Sequence, residues 1–367
     1  MRLSIVIFVF ITALIVMAAH AGLLVSIIQF FHIAPGQFRK ILTVIFIALS
    51  LSFIVSMLLI HWYEALLTRM FYLAASVWLG MFLYLLLATA LCWIVVGISK
   101  LTGSSLNTAV MTAPIYLFAI ALSLYGFWNA ANPVLKQVTV KIENLPEQWK
   151  GRTVVQASDI HVGAINRAGF AQKIVNLINT AKPDAVFITG DLFDGAGTDL
   201  NHLVEPLNQI QAARGVFFIT GNHETYAGLE HSFNALANIK LRILRDELVD
   251  LDGIQLIGLD FPLRPEKRVL DSIFAQVDRT KPVFLLYHIP AFVDTMKSLG
   301  VNLQFAGHTH RGQMWPFDYI TRRVYDDLDY GLHTDGSYNL YTSCGAGTWG
   351  PPLRLGNRPE VVAFTLE

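Results

Sequence analysis

Residues 217–224 read FFITGNHE, four residues typical of a buried strand followed by a polar segment with metal-competent side chains. In open α/β sheets the ligand site lies beyond the carboxyl ends of the strands, which is where such a polar segment would fall. The same pattern recurs in VVQASDIH (154–161), AVFITGD (185–191), PVFLLYH (282–288) and LQFAGHTH (303–310). Five strand ends with Asp, Asn or His therefore indicate one shared site.

Strands and helical stretches alternate from about residue 133, which is typical of an α/β domain. Further strands are predicted at 138–142, 254–259, 339–342 and 361–366, and helices at 168–181, 203–213, 232–239, 269–277 and 291–299. The last strands have little helix between them, so we expect a two-sheet sandwich flanked by helices. We assign residues 132–367 to this domain.

Residues 1–131 form a different region, with only six charged side chains. Four apolar runs lie between the charges: Leu3–Phe30, Ile41–Trp62, Phe71–Ile98 and Met111–Trp128. Each is about as long as the roughly 20 residues that a helix needs to cross a bilayer. We therefore predict a four-helix transmembrane region before the α/β domain, and a multi-pass protein of the cell membrane.

Composition supports the membrane prediction and excludes other classes. The chain is 54% hydrophobic and 15% charged, with a mean hydropathy of +0.48. Lys+Arg and Asp+Glu are 27 each, which argues against a nucleic-acid-binding protein. The two cysteines, Cys92 and Cys344, are too few for a thiolate metal site and do not suggest an exported disulfide-bearing domain. We expect the α/β domain on the cytoplasmic side.

The strand ends carry seven potential metal ligands. They are Asp159, His161, Asp191, Asn222, His288, His308 and His310. Oxygen and imidazole ligands without thiolate suit Mn²⁺, Fe or Zn²⁺. Seven ligands exceed a tetrahedral site but fit two ions that share a bridging carboxylate, an arrangement that clamps a phosphoryl group and activates water. In Asp-x-His and His-x-His, both side chains would point to one side of an extended segment.

Each of these residues alone has a simpler interpretation. A single Asp at a strand end more often caps a helix or forms a turn, and a single His is more often an ordinary hydrogen-bonded residue. The recurrence at five strand ends in one domain favours the metal site.

The five segments DIH, GD, GNHE, H and GHTH, in this order, resemble the signature blocks of the metallophosphoesterase (calcineurin-like phosphoesterase) superfamily. The resemblance covers roughly residues 150–350 and implies a two-sheet sandwich with two divalent metal ions. It implies that the first ion is held by Asp159, His161, Asp191 and His310, and the second by Asn222, His288, His308 and the bridging Asp191. It also implies that His223 acts on the leaving group.

Several further residues are candidates for supporting roles. Asp194 and Glu224 are candidates for orienting ligands, although a cap or turn role is about as common for such residues. Arg311 follows the last ligand and is predicted to bind the substrate phosphate, with an exposed ion pair as the alternative. Residues 314–317, which read MWPF, are candidates for an acyl or headgroup pocket, with an ordinary core role as the alternative.

We therefore predict a metal-dependent hydrolase in which a dinuclear metal-bound hydroxide attacks a phosphodiester or pyrophosphate, with lipid-linked substrates included. One alternative is a membrane-bound hydrolase of soluble, for example cyclic, nucleotides. Another is a membrane protein that binds a ligand through the metals without turnover. His223 favours the enzyme, because a binding module needs no proton donor beside its metals.

Overall fold

The computed structural model describes residues 3–103, 107–195, 200–261 and 266–367. The chain forms two compact units, Met1–Phe127 with Gly350–Pro352, and Trp128–Trp349 with Leu353–Glu367. This division falls four residues before the boundary between 131 and 132 that the sequence predicts.

The first unit contains four long helices, each apolar and long enough to cross a membrane. They are α1 (Leu3–Phe30), α2 (Gln37–Trp62), α3 (Leu66–Leu101) and α4 (Thr108–Ala130). The predicted count is confirmed, but α2, α3 and α4 begin before the apolar runs. In α2 and α3 the difference arises because charged residues interrupt the apolar run without interrupting the helix. The earlier start of α4 involves no charged residue.

His20 is the one buried histidine among the described residues of these helices. Its Nδ1–H donates to the Val16 carbonyl at 2.8 Å, and its Nε2 accepts from the Trp78 indole at 2.9 Å. Its ring also stacks on Phe82 at a centroid distance of 3.6 Å. Both ring nitrogens are thus satisfied within the unit, as expected for a structural histidine.

The second unit is a mixed α/β domain. Its described strands are β1 (Val134–Val140), β2 (Thr153–Ala157), β3 (Ala185–Thr189), β4 (Val216–Ile219), β5 (Arg242–Ile243), β6 (Glu247–Leu251), β7 (Ile254–Gly258), β8 (Val283–Leu286), β9 (Leu303–Ala306), β10 (Gly331–Asp335), β11 (Tyr338–Thr342) and β12 (Glu360–Leu366). Its described helices are α5 (Ala168–Thr180), α6 (Asn201–Val204), α7 (Asn222–Ala227), α8 (Leu229–Leu236), α9 (Lys267–Phe274), α10 (Val293–Ser298) and α11 (Asp318–Val324).

The strands form two six-stranded mixed sheets. The orders are β1-β12-β2-β3-β4-β5 and β10-β11-β9-β8-β7-β6. β2, β3 and β4 run parallel in the first sheet, and β8 and β9 run parallel in the second. The strands that precede the predicted ligands therefore end at the carboxyl edge of their sheets.

Side-chain alternation explains why these strands are almost wholly apolar. In β3, Ala185 and Phe187 lie in the core shared by both sheets, whereas Val186 and Ile188 pack in the outer core with α5. In β8, Phe284 points to the shared core and Leu285 to the outer core. Both faces are buried, so the strands contain runs of apolar residues rather than an apolar–polar alternation. The predicted two-sheet sandwich flanked by helices is confirmed.

Some predicted elements differ from the structure. The helix predicted at 203–213 is wrong, because α6 ends at Val204 and a 3₁₀ segment, Glu205–Gln209, follows with Pro206 near its start. The first strand begins at Val134, four residues earlier than predicted. The edge strand β10 is absent from the prediction because most of its side chains face solvent, and no apolar pattern marks it.

Candidate metal centre

All seven predicted ligands lie together at the carboxyl edge of the two sheets. Asp159 and His161 follow β2, Asp191 follows β3 and Asn222 follows β4, all in the first sheet. The second sheet contributes the remaining histidines, His288 after β8 and His308 and His310 after β9. The site is thus built by loops from both sheets.

The first group of ligands consists of Asp159, His161 and His310. One donor atom from each lies within 4.8 Å of the others. The Nε2 atoms of His161 and His310 are 3.0 Å apart, and Asp159 Oδ1 is 3.3 Å from His310 Nε2. Three donors that converge this closely in a buried place can share one cation.

The second group consists of Asp191, His288 and His308, whose donor atoms also lie within 4.8 Å of one another. Asn222 joins this group, since its Oδ1 is 3.2 Å from His288 Nε2. Asp191 Oδ2 lies 3.2 Å from His288 Nε2 and 3.9 Å from His161 Nε2. Its carboxylate therefore lies between the two groups.

The backbone, rather than strand alternation, makes these side chains converge. Five of the seven residues have a positive φ, namely Asp159, His161, Asp191, His308 and His310, with values from 48° to 71°. The expectation that Asp-x-His and His-x-His are extended is therefore wrong. Left-handed backbone is costly for non-glycine residues, and such strain is typical of functional sites.

Two glycines let the loops approach each other. A Cβ on Gly307 would lie 2.2 Å from Asp159 Oδ2, and a Cβ on Gly221 would lie 2.2 Å from Asp191 Oδ1. Both distances are far below van der Waals contact. Glycine is therefore required in the GHTH and GNHE segments so that the carboxylates can reach the centre.

Glu224 connects the loop after β3 with the loop after β4. Its buried carboxylate accepts hydrogen bonds from the backbone N–H groups of Asp191 (3.0 Å), Gly221 (2.7 Å) and Phe193 (3.1 Å). Burial, with the nearby Asp191 charge, raises the pKa of Glu224 to about 7. The orienting role predicted for this residue agrees with these contacts.

His223 lies beside the ligands without joining either group above. Its Nδ1–H donates to the Asp194 carbonyl at 3.2 Å, which turns the other ring nitrogen away from Asp194. Asp194 Oδ1 also lies 3.6 Å from His161 Nδ1. Asp194 therefore contacts both histidines, and a third set of close donor atoms consists of His161, Asp194 and His223.

Arg354 contacts the centre although the sequence gives no sign of it. This fully buried residue lies with Nη2 2.9 Å from His310 Nδ1, and it donates to the Gly347 carbonyl and to Asn357 Oδ1. Asn129 donates to the carbonyls of Arg354 and Asn357 at 3.0 and 2.8 Å. A buried arginine is indistinguishable from a surface one in a single sequence, which is why it was missed.

The remaining predicted residues lie nearer the edge of the site. The guanidinium of Arg311 lies over the Tyr330 ring, 4.5 Å from its centroid, and Arg311 is not among the described residues that line the cleft. Phosphate binding by Arg311 stays a prediction. In the 314–317 segment, Trp315 and Phe317 are exposed, so an ordinary core role does not describe them.

The charges of the centre are strongly coupled. Burial opposes ionisation of Asp191, but His288 and His161 outweigh it and hold the pKa of this carboxyl well below its usual range. Burial also opposes the His288 cation, yet Asp191 and Asp159 raise the pKa of His288 to about 10. Burial lowers the pKa of His308 to about 3, and burial with the charge of His161 lowers the pKa of His223.

These residues fit divalent metal ions. His288 Nδ1–H donates to the Thr189 carbonyl at 2.7 Å, which directs Nε2 toward Asp191 and Asn222. Metal-binding histidines usually donate their second N–H to a carbonyl or carboxylate in this way. The donors are carboxylate, amide oxygen and imidazole, which suits Mn²⁺, Fe or Zn²⁺.

The centre opens into a cleft of about 500 Å³. Asp191, Asn222, His223, His308 and His310 are among its lining residues. Its walls also include residues from outside the five motifs, namely Tyr226, Phe317, Ile320, Thr321, Tyr325 and Trp349. The ligands and His223 are therefore accessible to a substrate.

A two-sheet sandwich with carboxylate, amide and histidine ligands at its carboxyl edge defines a metal-dependent phosphoesterase. The family model for calcineurin-like phosphoesterases matches residues 152–312. An uncharacterized metallophosphoesterase of Helicobacter pylori strain J99 is 33% identical over 256 residues, 68% of each chain. This chain belongs to the metallophosphoesterase family.

Two further relatives add to the comparison, and the first of them extends into the amino-terminal region. An uncharacterized metallophosphoesterase of Campylobacter jejuni is 30% identical over 351 residues, which cover 90% of each chain. A zebrafish (Danio rerio) protein described as a transmembrane protein with a metallophosphoesterase domain is 32% identical over 68% of this chain and 61% of its own. With the four apolar helices, these findings support a membrane protein.

Metal binding is expected to tighten as pH rises. Despite its burial, Asp191 and Asp159 raise the pKa of His288 to about 10, so at neutral pH this imidazole carries a proton that a metal ion must displace. Each displaced proton makes the apparent association constant rise about tenfold per pH unit. Calorimetric titration with Mn²⁺ at pH 6.5, 7.5 and 8.5, in buffers of different ionisation enthalpy, measures both affinity and proton release. A Mn²⁺ affinity that does not change across this pH range, with no proton released, would contradict the interpretation of His288 as a metal ligand.

Proposed function

We propose that this membrane protein hydrolyses phosphodiesters or pyrophosphates, lipid-linked ones included, with two divalent ions at the strand-end centre. The observation that carries the proposal is the pair of ligand groups with Asp191 between them, 3.2 Å from His288 and 3.9 Å from His161. When bound, two such ions supply neutralisation of phosphoryl oxygens and a water of lowered pKa for attack on phosphorus.

The ligand sets follow the two groups. Asp159, His161 and His310 would hold the first ion, and Asn222, His288 and His308 the second. Asp191 would bridge them. The buried carboxylates of Asp159 and Asp191 are held by backbone N–H groups of His308 and His223, at 3.0 and 2.8 Å. Each carboxylate is therefore oriented before a metal binds.

His223 would act on the leaving-group oxygen. It lines the cleft, and its Nδ1–H is held by the Asp194 carbonyl, so the opposite edge of its ring is available to a substrate. A histidine in this position can hydrogen-bond to the departing oxygen or protonate it. No nucleophilic side chain is required.

The alternatives make different demands on the cleft. A soluble nucleotide needs cationic groups for its phosphates and polar groups for its base, and a binding protein without turnover needs no His223.

Manganese, iron and zinc all suit the donor set, and Mn²⁺ is the ion we propose to test first.

The predicted location is the cell membrane, crossed several times, with the catalytic domain in the cytoplasm. The support is that the chain contains four candidate spans and that both cysteines, Cys92 and Cys344, are unpaired.

Replacement of Asp191 by Asn should reduce bound metal and abolish hydrolysis, because a neutral amide bridges two cations poorly. Metal analysis of the purified wild-type protein at saturating Mn²⁺ should give about two ions per chain. The exposed carboxylate variant Asp250→Asn is the control and should behave as wild type. A wild-type content that never exceeds one ion would contradict the two-metal proposal.

Replacement of His223 by Gln should preserve the metal content and lower the rate by ~10²–10⁴-fold, the range typical of a general acid. The loss should be smaller for nitrophenyl esters, because a good leaving group needs little protonation. The exposed His231→Gln provides the matched control. An equal loss for good and poor leaving groups would assign His223 another role.

A cysteine introduced at the exposed Arg268 of α9 should report the side of the membrane. Both native cysteines are buried, so background labelling should be low. For a cytoplasmic domain, an impermeant maleimide should label Arg268→Cys only after the cells are permeabilised. Labelling in intact cells would place the domain outside.

A further inference from the structure

The mouth of the metal cleft carries a rim of exposed apolar and aromatic side chains. Tyr226, Phe317, Ile320 and Trp349 all line the cleft, and they are 73%, 38%, 59% and 54% exposed. They come from three separate segments, the end of α7, the start of α11 and the loop after β11. Isolated exposed apolar residues are ordinary, but several at one pocket indicate a binding surface. We call these four residues the apolar rim.

The charge of the cleft argues against a substrate with phosphates beyond those that the two metal ions would bind. Among the lining residues that the structure describes there is no Lys or Arg. The neighbouring Arg311 has its guanidinium over the Tyr330 ring. Proteins that bind polyphosphates present Arg or Lys to them, since bidentate and charged hydrogen bonds provide much of the affinity. Beyond the metal ligands, the walls of this cleft are mainly apolar.

Two hydroxyl groups of the walls are also engaged. Thr309 Oγ1 donates to the Asp329 carbonyl at 2.7 Å, and Thr321 Oγ1 donates to Asp329 Oδ2 at 2.8 Å. Recognition of a nucleobase combines aromatic stacking with hydrogen bonds to the base edge. The aromatic rings are present here, but these two hydroxyls already have acceptors. An apolar ligand, by contrast, needs only the surface.

We propose that the apolar rim binds an acyl or prenyl chain of the substrate, so that an amphiphilic phosphoester lies with its phosphate at the metal centre and its chain on Phe317, Ile320 and Trp349. This inference rests on the proposed phosphoesterase function and specifies its substrate class. Pockets of this kind, apolar walls around a few polar groups, bind the apolar part by burial and fix the polar part by its ligands. A protein of the membrane meets such substrates where it resides.

Helix α11 provides a matched pair of residues for testing the rim. Ile320 lines the metal cleft, whereas Val324, one helical turn later and 64% exposed, lines a different groove with residues 289–295. Both are exposed apolar residues on the same short helix. Replacing either by Asn removes no core packing, so a difference between the variants reports on the cleft.

The experiment uses the full-length protein in detergent with Mn²⁺ and a series of nitrophenyl phosphodiesters with methyl, butyl and octyl groups. For the wild type we expect kcat/KM to rise at least about tenfold from methyl to octyl, because burial of each methylene is favourable. Ile320→Asn and Trp349→Ser should reduce this octyl-to-methyl ratio severalfold, and Val324→Asn should leave it unchanged. If all three variants keep the same octyl-to-methyl ratio as the wild type, the proposal is overturned. Partition of the esters into micelles cannot produce a difference, because it affects every variant alike.

Two further arms separate the remaining outcomes. A thymidine nitrophenyl phosphodiester that is hydrolysed more efficiently than the octyl ester would overturn the acyl-chain site in favour of base recognition. If no ester is hydrolysed, the proposed function itself fails. Equilibrium dialysis with octyl phosphate and methyl phosphate then tests separately whether the apolar rim binds an alkyl chain. Preferred retention of octyl phosphate that Ile320→Asn removes would support it, and equal retention of both would overturn it.

Discussion

Two carboxylates and four imidazoles share one buried cluster, and the need to compensate their charges shapes the whole catalytic domain. Asp159 is held by the backbone N–H of His308, which belongs to the other sheet, and Asp191 by the N–H of His223. His288, from the second sheet, donates to the Thr189 carbonyl at the end of β3 in the first. Since an unpaired buried charge is costly, these contacts tie the two sheets together at their carboxyl edge.

The same constraint explains the unusual backbone of the motifs. Left-handed residues turn the DIH, GD and GHTH loops inward, and Gly221 and Gly307 permit the approach that a Cβ would block. Two buried residues of opposite charge support this arrangement. The carboxylate of Glu224 accepts hydrogen bonds from three backbone N–H groups, and the guanidinium of Arg354 lies against His310. Pre-organised ligands of this kind reduce the cost of assembling a metal centre.

The cleft combines two kinds of surface around this centre. The motif residues form a polar floor that suits phosphate and metal ions, whereas α11 and the loop around Trp349 form apolar walls. If the apolar rim binds the substrate as proposed, the chemistry and the choice of substrate would depend on different parts of the chain.

The sequence by itself determined the fold class, the four apolar helices and the seven residues that meet at the carboxyl edge as candidate ligands. These features are local: apolar runs of strand or membrane length, and short polar segments at five strand ends. The helix predicted at 203–213 failed because Pro206 and a 3₁₀ segment interrupt a pattern that apolar spacing alone suggests. The edge strand β10 was missed because it buries little.

Only the tertiary structure decided which groups meet. Arg354 reaches His310 across 44 residues of sequence, and Tyr226 lies at the same cleft as Trp349, from different segments of the chain. Neither arrangement leaves a periodic or compositional mark, because a buried arginine and an exposed tryptophan carry no local signal of their surroundings. Tertiary packing also stabilises a left-handed backbone at five of the seven candidate ligands, where local preference alone favours an extended backbone.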